Sequence, residues 1–113
     1  MKQECVFCRI VKGEIPSTKV YEDKDYLVFR DIRPAAPIHL LTIPKHHVAR
    51  LSDCGDADRE LLAGLMLIAA KAAKLEKLDS FRLIINDGSG AGQTVFHLHA
   101  HILGGGEMGE KLL

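Results

Sequence analysis

The stretch Phe96-His97-Leu98-His99-Ala100-His101-Ile102-Leu103 decides how this chain is read. At the strand period of two, His97, His99 and His101 point to one face, and Phe96, Leu98, Ala100 and Ile102 to the other. The apolar face can lie on a core. The opposite face then carries three imidazoles about 7 Å apart, each able to change its protonation near neutral pH. Half of the six histidines stand in these five residues, 97 to 101. Every buried imidazole needs hydrogen-bond partners, so a core strand gains nothing from three in a row. The spacing predicts a functional site carried on a strand from Val95 to Leu103.

Around this strand the chain is read in order. Cys5 to Gly13 reads as a short helix, with Val6, Phe7, Ile10 and Val11 as its apolar stripe and Gly13 just past its end. Lys19 to Glu22 and Tyr26 to Arg30 read as two strands joined by the polar hairpin Asp23-Lys24-Asp25. Pro34 and Pro37 stiffen a loop, Ile38 to Ile43 is a further strand, and Pro44 ends it. The long helix is expected from about Asp56 to Leu78, with Leu61, Leu65, Ile68, Ala72 and Leu75 on its apolar face. Gly64 inside it costs about 1 kcal/mol. Phe81 to Asn86 is another strand, and Asp87 to Thr94 a glycine-rich loop. The element order predicts one antiparallel α+β domain over residues 1–113.

Composition narrows the function classes. The 113 residues are 47% hydrophobic and 27% charged, as in an ordinary globular protein. Lys+Arg and Asp+Glu balance at 15 each, so no global field favours nucleic acid or an anionic membrane, and an anionic ligand must be held locally. No apolar run approaches the roughly 20 residues of a membrane span. Three cysteines, an odd number, argue for a reducing compartment, with the cytoplasm as the expectation.

Two constellations carry chemistry. The loop Asn86-Asp-Gly88-Ser-Gly90-Ala-Gly92-Gln93-Thr94 leads straight into the histidine strand. Its glycines let main-chain N–H groups turn inward, with Gln93 and Thr94 as added donors, which is a way to hold a phosphate without lysine. Beside such a loop the triplet suits a histidine nucleophile attacking phosphorus. A metal held by His97, His99 and His101 together is the rival chemistry. Cys5-x-x-Cys8 is half of a zinc site that needs further His or Cys ligands, and Cys54 in its polar loop is read as incidental.

His97-Leu98-His99-Ala100-His101-Ile102-Leu103 resembles the signature of the histidine triad (HIT) family. Gly92-Gln93-Thr94-Val95-Phe96, Gly104-Gly105, Arg30-Asp31-Ile32-Arg33-Pro34, Pro37-Ile38-His39 and Ile43-Pro44-Lys45-His46-His47 are similar to segments of its Hint branch. The resemblance spans nearly the whole chain. It implies a HIT-like fold, an antiparallel five-stranded meander sheet with one long and one short helix. It also implies a homodimeric hydrolase of purine nucleoside phosphoramidates or acyl and aminoacyl adenylates; the alternative is a nucleotide-binding signalling module without turnover. Carried over by position, His99 is the nucleophile and His101 contacts phosphate and assists the leaving group, with His97 and His39 completing the catalytic set. Asn86, Gly92, Gln93 and Thr94 match the phosphate and leaving-group contacts, and Asp31 the acid on the ribose, although an Asp before such a loop is often only a turn cap. Phe7, Ile10 and Phe29 would line the pocket of the base.

Some HIT relatives carry Cys-x-x-Cys with a later histidine, and that resemblance implies a structural zinc on Cys5, Cys8, His47 and His97. A zinc-bound His97 cannot also relay protons, and the catalysis itself needs no metal. Several Hint relatives place an aromatic-bearing tail near the leaving group, whereas Gly106 to Leu113 has no tryptophan. The resemblance therefore leaves leaving-group preference open.

Overall fold

Strand Tyr26–Arg30 explains the layering, because its residues are buried on both faces of the sheet. Leu27 and Phe29 point to one side, where they meet Phe7 and Ile10 of a short helix together with Leu41 and Ile43. Val28 points to the other, onto Leu40, Ile102 and the alanines 69, 72 and 73 of the long helix. The computed structural model describes residues 5–110, with strands β1 (Lys19–Glu22), β2 (Tyr26–Arg30), β3 (Ile38–Pro44), β4 (Phe81–Ile84) and β5 (Ala100–Gly104). The helices are α1 (Val6–Val11) and α2 (Arg59–Leu75). Short 3-10 turns precede α2 and form part of the glycine-rich loop.

The five strands make one antiparallel sheet in the order β1-β2-β3-β5-β4. The first three strands are a meander, as expected. The order departs from a meander at the end: the chain crosses through α2, lays β4 at the edge, and returns β5 between β4 and β3. An edge place for β4 follows from its pattern, since Phe81 and Leu83 stay exposed while β5 is buried at every second position.

The histidine strand is shorter than the alternation predicts. Only His101 lies in β5, and the ladder with β3 stops at Thr42↔Ala100. Pro44 has no N–H to continue it, and Leu98 donates instead to Val48 O at 2.6 Å. Leu98, Ala100 and Ile102 are buried as expected, but Phe96 has left the sheet and is 43% exposed.

Helix α2 also presents a somewhat different face. Leu65 and Ala72 are buried as predicted, but Ala69 and Ala73 join them, and Leu75 is exposed. Small side chains let the helix lie close on the sheet, which hydrophobicity alone does not signal. The helix ends at Leu75, and Lys77 takes the left-handed φ of 58° usually given to glycine while Leu78 N–H returns to Ala73 O. Gly64 has a specific reason. A Cβ there would lie 2.1 Å from the Tyr26 hydroxyl, which donates to Leu61 O at 2.7 Å.

Candidate active site

Strands β3 and β5 place His39 and His101 on the α1 side of the sheet, and the extended segment before β5 brings His97 and His99 beside them. Hydrogen-bond partners fix the tautomer of each neutral ring, because a carbonyl only accepts and a main-chain N–H only donates. His99 Nδ1 donates to its neighbour's carbonyl, His97 O, at 2.7 Å, so its Nε2 is a bare lone pair. His97 Nε2 donates to Pro44 O at 2.7 Å, so its Nδ1 is bare. Ala35 N–H donates to His39 Nδ1 at 2.9 Å, so the His39 proton sits on Nε2 and faces His101 Nδ1 at 2.9 Å. His101 accepts at Nδ1 and keeps its own proton on Nε2. The rings of His99 and His101 are 4.9 Å apart, and this pair joins a bare imidazole nitrogen to an N–H donor.

Burial keeps the cluster neutral. It lowers the pKa of His99 below the ordinary histidine value, opposed by the hydrogen bond to His97 O and the charge of Asp31. His101 falls to about 4, first through burial and then through repulsion from His99 and His39. Loss of solvent, more than repulsion between neighbouring imidazoles, is the larger cause for every member, His39 included.

A cavity of about 340 Å³ opens beside these rings, lined by Phe7, Ile10, Phe29, Asp31, Thr94, His99 and His101. Phe7 stands edge-on to Phe29 and to His99, at 5.4 and 5.1 Å between centroids. Asp31 divides its carboxylate: Oδ1 accepts from Arg33 N–H in a tight turn, and Oδ2 lies 3.4 Å from His39 Nε2. It is both the turn cap and a charge at the cavity wall. Ile15, Leu41 and Val95 also line the cavity, and sequence reasoning missed them. Leu41 was detectable, since it stands two residues after His39 on one face of β3.

The glycine-rich loop holds itself together more than expected. Gly88 and Gly92 both take φ of +91°, and the N–H groups of Ala91, Gly92 and Gln93 close back on Gly88 and Ser89. The Gln93 side chain is buried: its amide nitrogen donates to Ala49 O and Val95 O, and its oxygen accepts from Gly88 N–H. Gln93 thus braces the loop, and these bonds leave it no donor for a phosphate. Thr94 lines the cavity, while Asn86 and Gly92 stand beside one another outside its lining.

The second cluster lies on the far side of Phe7. Cys5 Sγ and Cys8 Sγ are 3.4 and 3.5 Å from the bare His97 Nδ1, and Cys8 Sγ is 3.3 Å from His47 Nδ1. The four ligand atoms lie within 4.8 Å of one another and can hold a metal ion. Cys5 caps α1, its sulfur accepting from Cys8 N–H, which brings both thiols to one end of the helix. His97 faces this cluster while His99 and His101 face the cavity, so the three triplet histidines do not converge on one ion. Asp31, His39 and His101 are also close together, but the proton held on His39 Nε2 makes that group a hydrogen-bonded relay.

The HIT domain family model matches residues 12–108, and the chain belongs to the HIT family. It is 48% identical to Protein HitA of Neisseria gonorrhoeae over 101 residues, 88% of this chain and 94% of that one. A HIT family hydrolase from Clostridium thermocellum superposes with a TM-score of 0.95 at 46% identity, covering 98% of both chains. A histidine triad nucleotide-binding protein from Candida albicans gives a TM-score of 0.79 at 36% identity, over 95% of this chain and 85% of that one. Among the described residues, no helix is long and apolar enough to cross a membrane.

Proposed function

We propose that this chain is a Hint-type hydrolase that cleaves purine nucleoside phosphoramidates, or acyl and aminoacyl adenylates, through a covalent nucleotidyl-His99. The observation that carries this reading is the bare His99 Nε2, set beside the N–H of His101 at the wall of a nucleotide-sized cavity. The names of two solved relatives, one a hydrolase and one a nucleotide-binding protein, support it.

In the first step His99 Nε2 forms a bond to phosphorus, and the bond from phosphorus to the leaving nitrogen or acyl oxygen breaks. A leaving nitrogen takes up a proton that comes from solvent by way of His101 Nε2–H. Water then attacks phosphorus and returns a proton to solvent, the bond to His99 breaks, and nucleoside monophosphate departs. His39 orients His101, and Asp31 faces the ribose. Phe7, Ile10 and Phe29 pack on the base, and Thr94, with Gly92 and Asn86 outside the cavity lining, borders the phosphate.

The metal fitting the second cluster is zinc in a structural role. Bonds of about 2.3 Å to sulfur and 2.0–2.1 Å to nitrogen, at a tetrahedral angle, separate the two ligand atoms by about 3.6 Å. The observed separations of 3.3–3.5 Å are close to that edge. Cys5, Cys8, His47 and His97 would hold it, clamping α1 to the segment that carries His99. A second copy is proposed along the open edge of β4, where Phe81 and Leu83 are exposed.

The test is turnover of an adenosine phosphoramidate by the wild type and by His99→Ala, with mass spectrometry of the acid-quenched protein. The wild type is expected to release AMP and show an adenylylated species, and the variant to do neither. Equal rates in the two would end the proposal. Tight AMP binding with no single-turnover chemistry would instead make the chain a nucleotide sensor.

A further inference from the structure

We infer that the Cys5–Cys8 pair is a thiol switch: its oxidation to a disulfide ejects the metal and misplaces the His99 nucleophile. The inference rests on the hydrolase reading above and concerns its regulation. Two connections link the thiols to the cavity. The first runs through one residue, His97, whose ring nitrogen Nδ1 faces both sulfurs while its carbonyl holds His99 Nδ1–H at 2.7 Å. The second runs through Phe7, which lies between the two cysteines in sequence and stacks edge-on against the rings of both His97 and His99.

The buried His97 ring has little freedom. Its Nε2 proton is committed to Pro44 O, so Nδ1 must be satisfied by a cation or by a thiol S–H. A disulfide offers neither. The ring must then turn, or move its proton to Nδ1 and release Pro44, and either change shifts the main-chain segment that aims His99. The sulfurs are near enough to react with modest adjustment, since all ligand atoms of the cluster lie within 4.8 Å. Cys5 is also reachable, because a cavity of about 380 Å³ opens on it between Val6, His47 and Thr94.

With hydrogen peroxide as oxidant, one thiolate attacks an oxygen and displaces hydroxide, giving a sulfenic acid. The second thiolate displaces the sulfenic oxygen and forms the S–S bond. Two thiolates, one peroxide and two protons become one disulfide and two waters, and the bound cation leaves without its anionic ligands. A dithiol reductant reverses the change by exchange.

The experiment uses zinc-loaded full-length Cys54→Ser protein, which removes the third thiol and is expected to retain the basal rate. Peroxide is titrated while zinc release is followed with a colorimetric chelator, the disulfide by intact mass, and phosphoramidate turnover in parallel. One zinc is expected per disulfide. The accompanying fall in kcat is expected to be about tenfold or more, the scale found when the partner orienting a metal-bound histidine is lost. Dithiothreitol with zinc should restore both. A disulfide formed with zinc loss but unchanged kcat would overturn the switch, as would cysteines that stay reduced in excess peroxide. If the reduced zinc protein has no turnover at all, the hydrolase reading fails separately. The switch is then read from the ¹⁵N-coupled His99 Nδ1–H resonance, which oxidation should shift or abolish; an unmoved resonance would overturn the switch.

Discussion

Replacing His39 tests the relay behind the proposed nucleophile most directly. His39 accepts a hydrogen bond from Ala35 N–H at Nδ1 and presents its own proton at Nε2 to His101, 2.9 Å on each side. His39→Phe keeps the ring's bulk in a buried position and removes both bonds. A neutral hydrogen bond is worth about 1 kcal/mol net, roughly a fivefold change in the ratio of His101 tautomers. Orientation is lost as well, and removing the partner that orients a metal-bound histidine, a comparable positioning role, typically costs about 10–100-fold. We expect kcat for an adenosine phosphoramidate to fall within that range. KM should stay within about twofold, because His39 is not placed against the nucleotide. His39→Gln, whose amide can again donate to His101 Nδ1, should recover part of the loss. Steady-state kinetics beside thermal melts separate chemistry from folding. A folded His39→Phe protein with wild-type kcat, or a His39→Gln protein no better than His39→Phe, would refute the relay.

The other predictions are these. Gly64→Ala gains about 1 kcal/mol of helix propensity. It loses about 1 from the Tyr26–Leu61 hydrogen bond and about 2 from displaced tyrosine packing. The net loss of about 2 kcal/mol should lower Tm by roughly 8 °C by calorimetry, and an unchanged Tm would refute the close approach. Because burial lowers the His99 pKa, the neutral nucleophile persists below pH 6.5. The acid limb of kcat/KM should therefore lie beneath that value, and a limb at or above it would count against the assignment. In metal-free protein, His97 and His101 resist protonation until about pH 4, whereas the unfolded chain takes up these protons near 6.5. Their stabilising effect is complete above pH 6.5 and is lost as pH falls towards 4, so the urea midpoint should be lower at pH 5 than at pH 7.5. Stripping zinc at a concentration 1,000 times its Kd should remove about 4 kcal/mol of stability, read as a fall in Tm that Cys8→Ser no longer shows.

The elements and the grouping of the site were largely legible in the sequence. Short apolar runs bounded by turn residues located β2 and β3 to within a residue, and the resemblance to HIT relatives with Cys-x-x-Cys pointed to His47 and His97 as the residues that stand with Cys5 and Cys8. What escaped was set by the main chain. Nothing in the side-chain alternation of residues 95 to 103 announces that Pro44 stops the ladder and releases His97, His99 and Phe96 from the sheet. Gln93 looked like a phosphate donor because its type allows it, but its amide is taken by the carbonyls of Ala49, distant in sequence, and of Val95. Likewise the αL turn at Lys77 and the alanine face of α2 depend on how closely helix and sheet approach, which composition does not record.

Two of the three triplet imidazoles take their proton pattern from peptide carbonyls, those of Pro44 and His97. No point substitution deletes a carbonyl, so the bare nitrogens of His97 and His99 are insulated from side-chain variation nearby. His101 is different, since its orientation comes from an imidazole that a codon change can remove. Evolution or engineering that alters reactivity by single substitutions, leaving the triplet intact, has its shortest route through position 39.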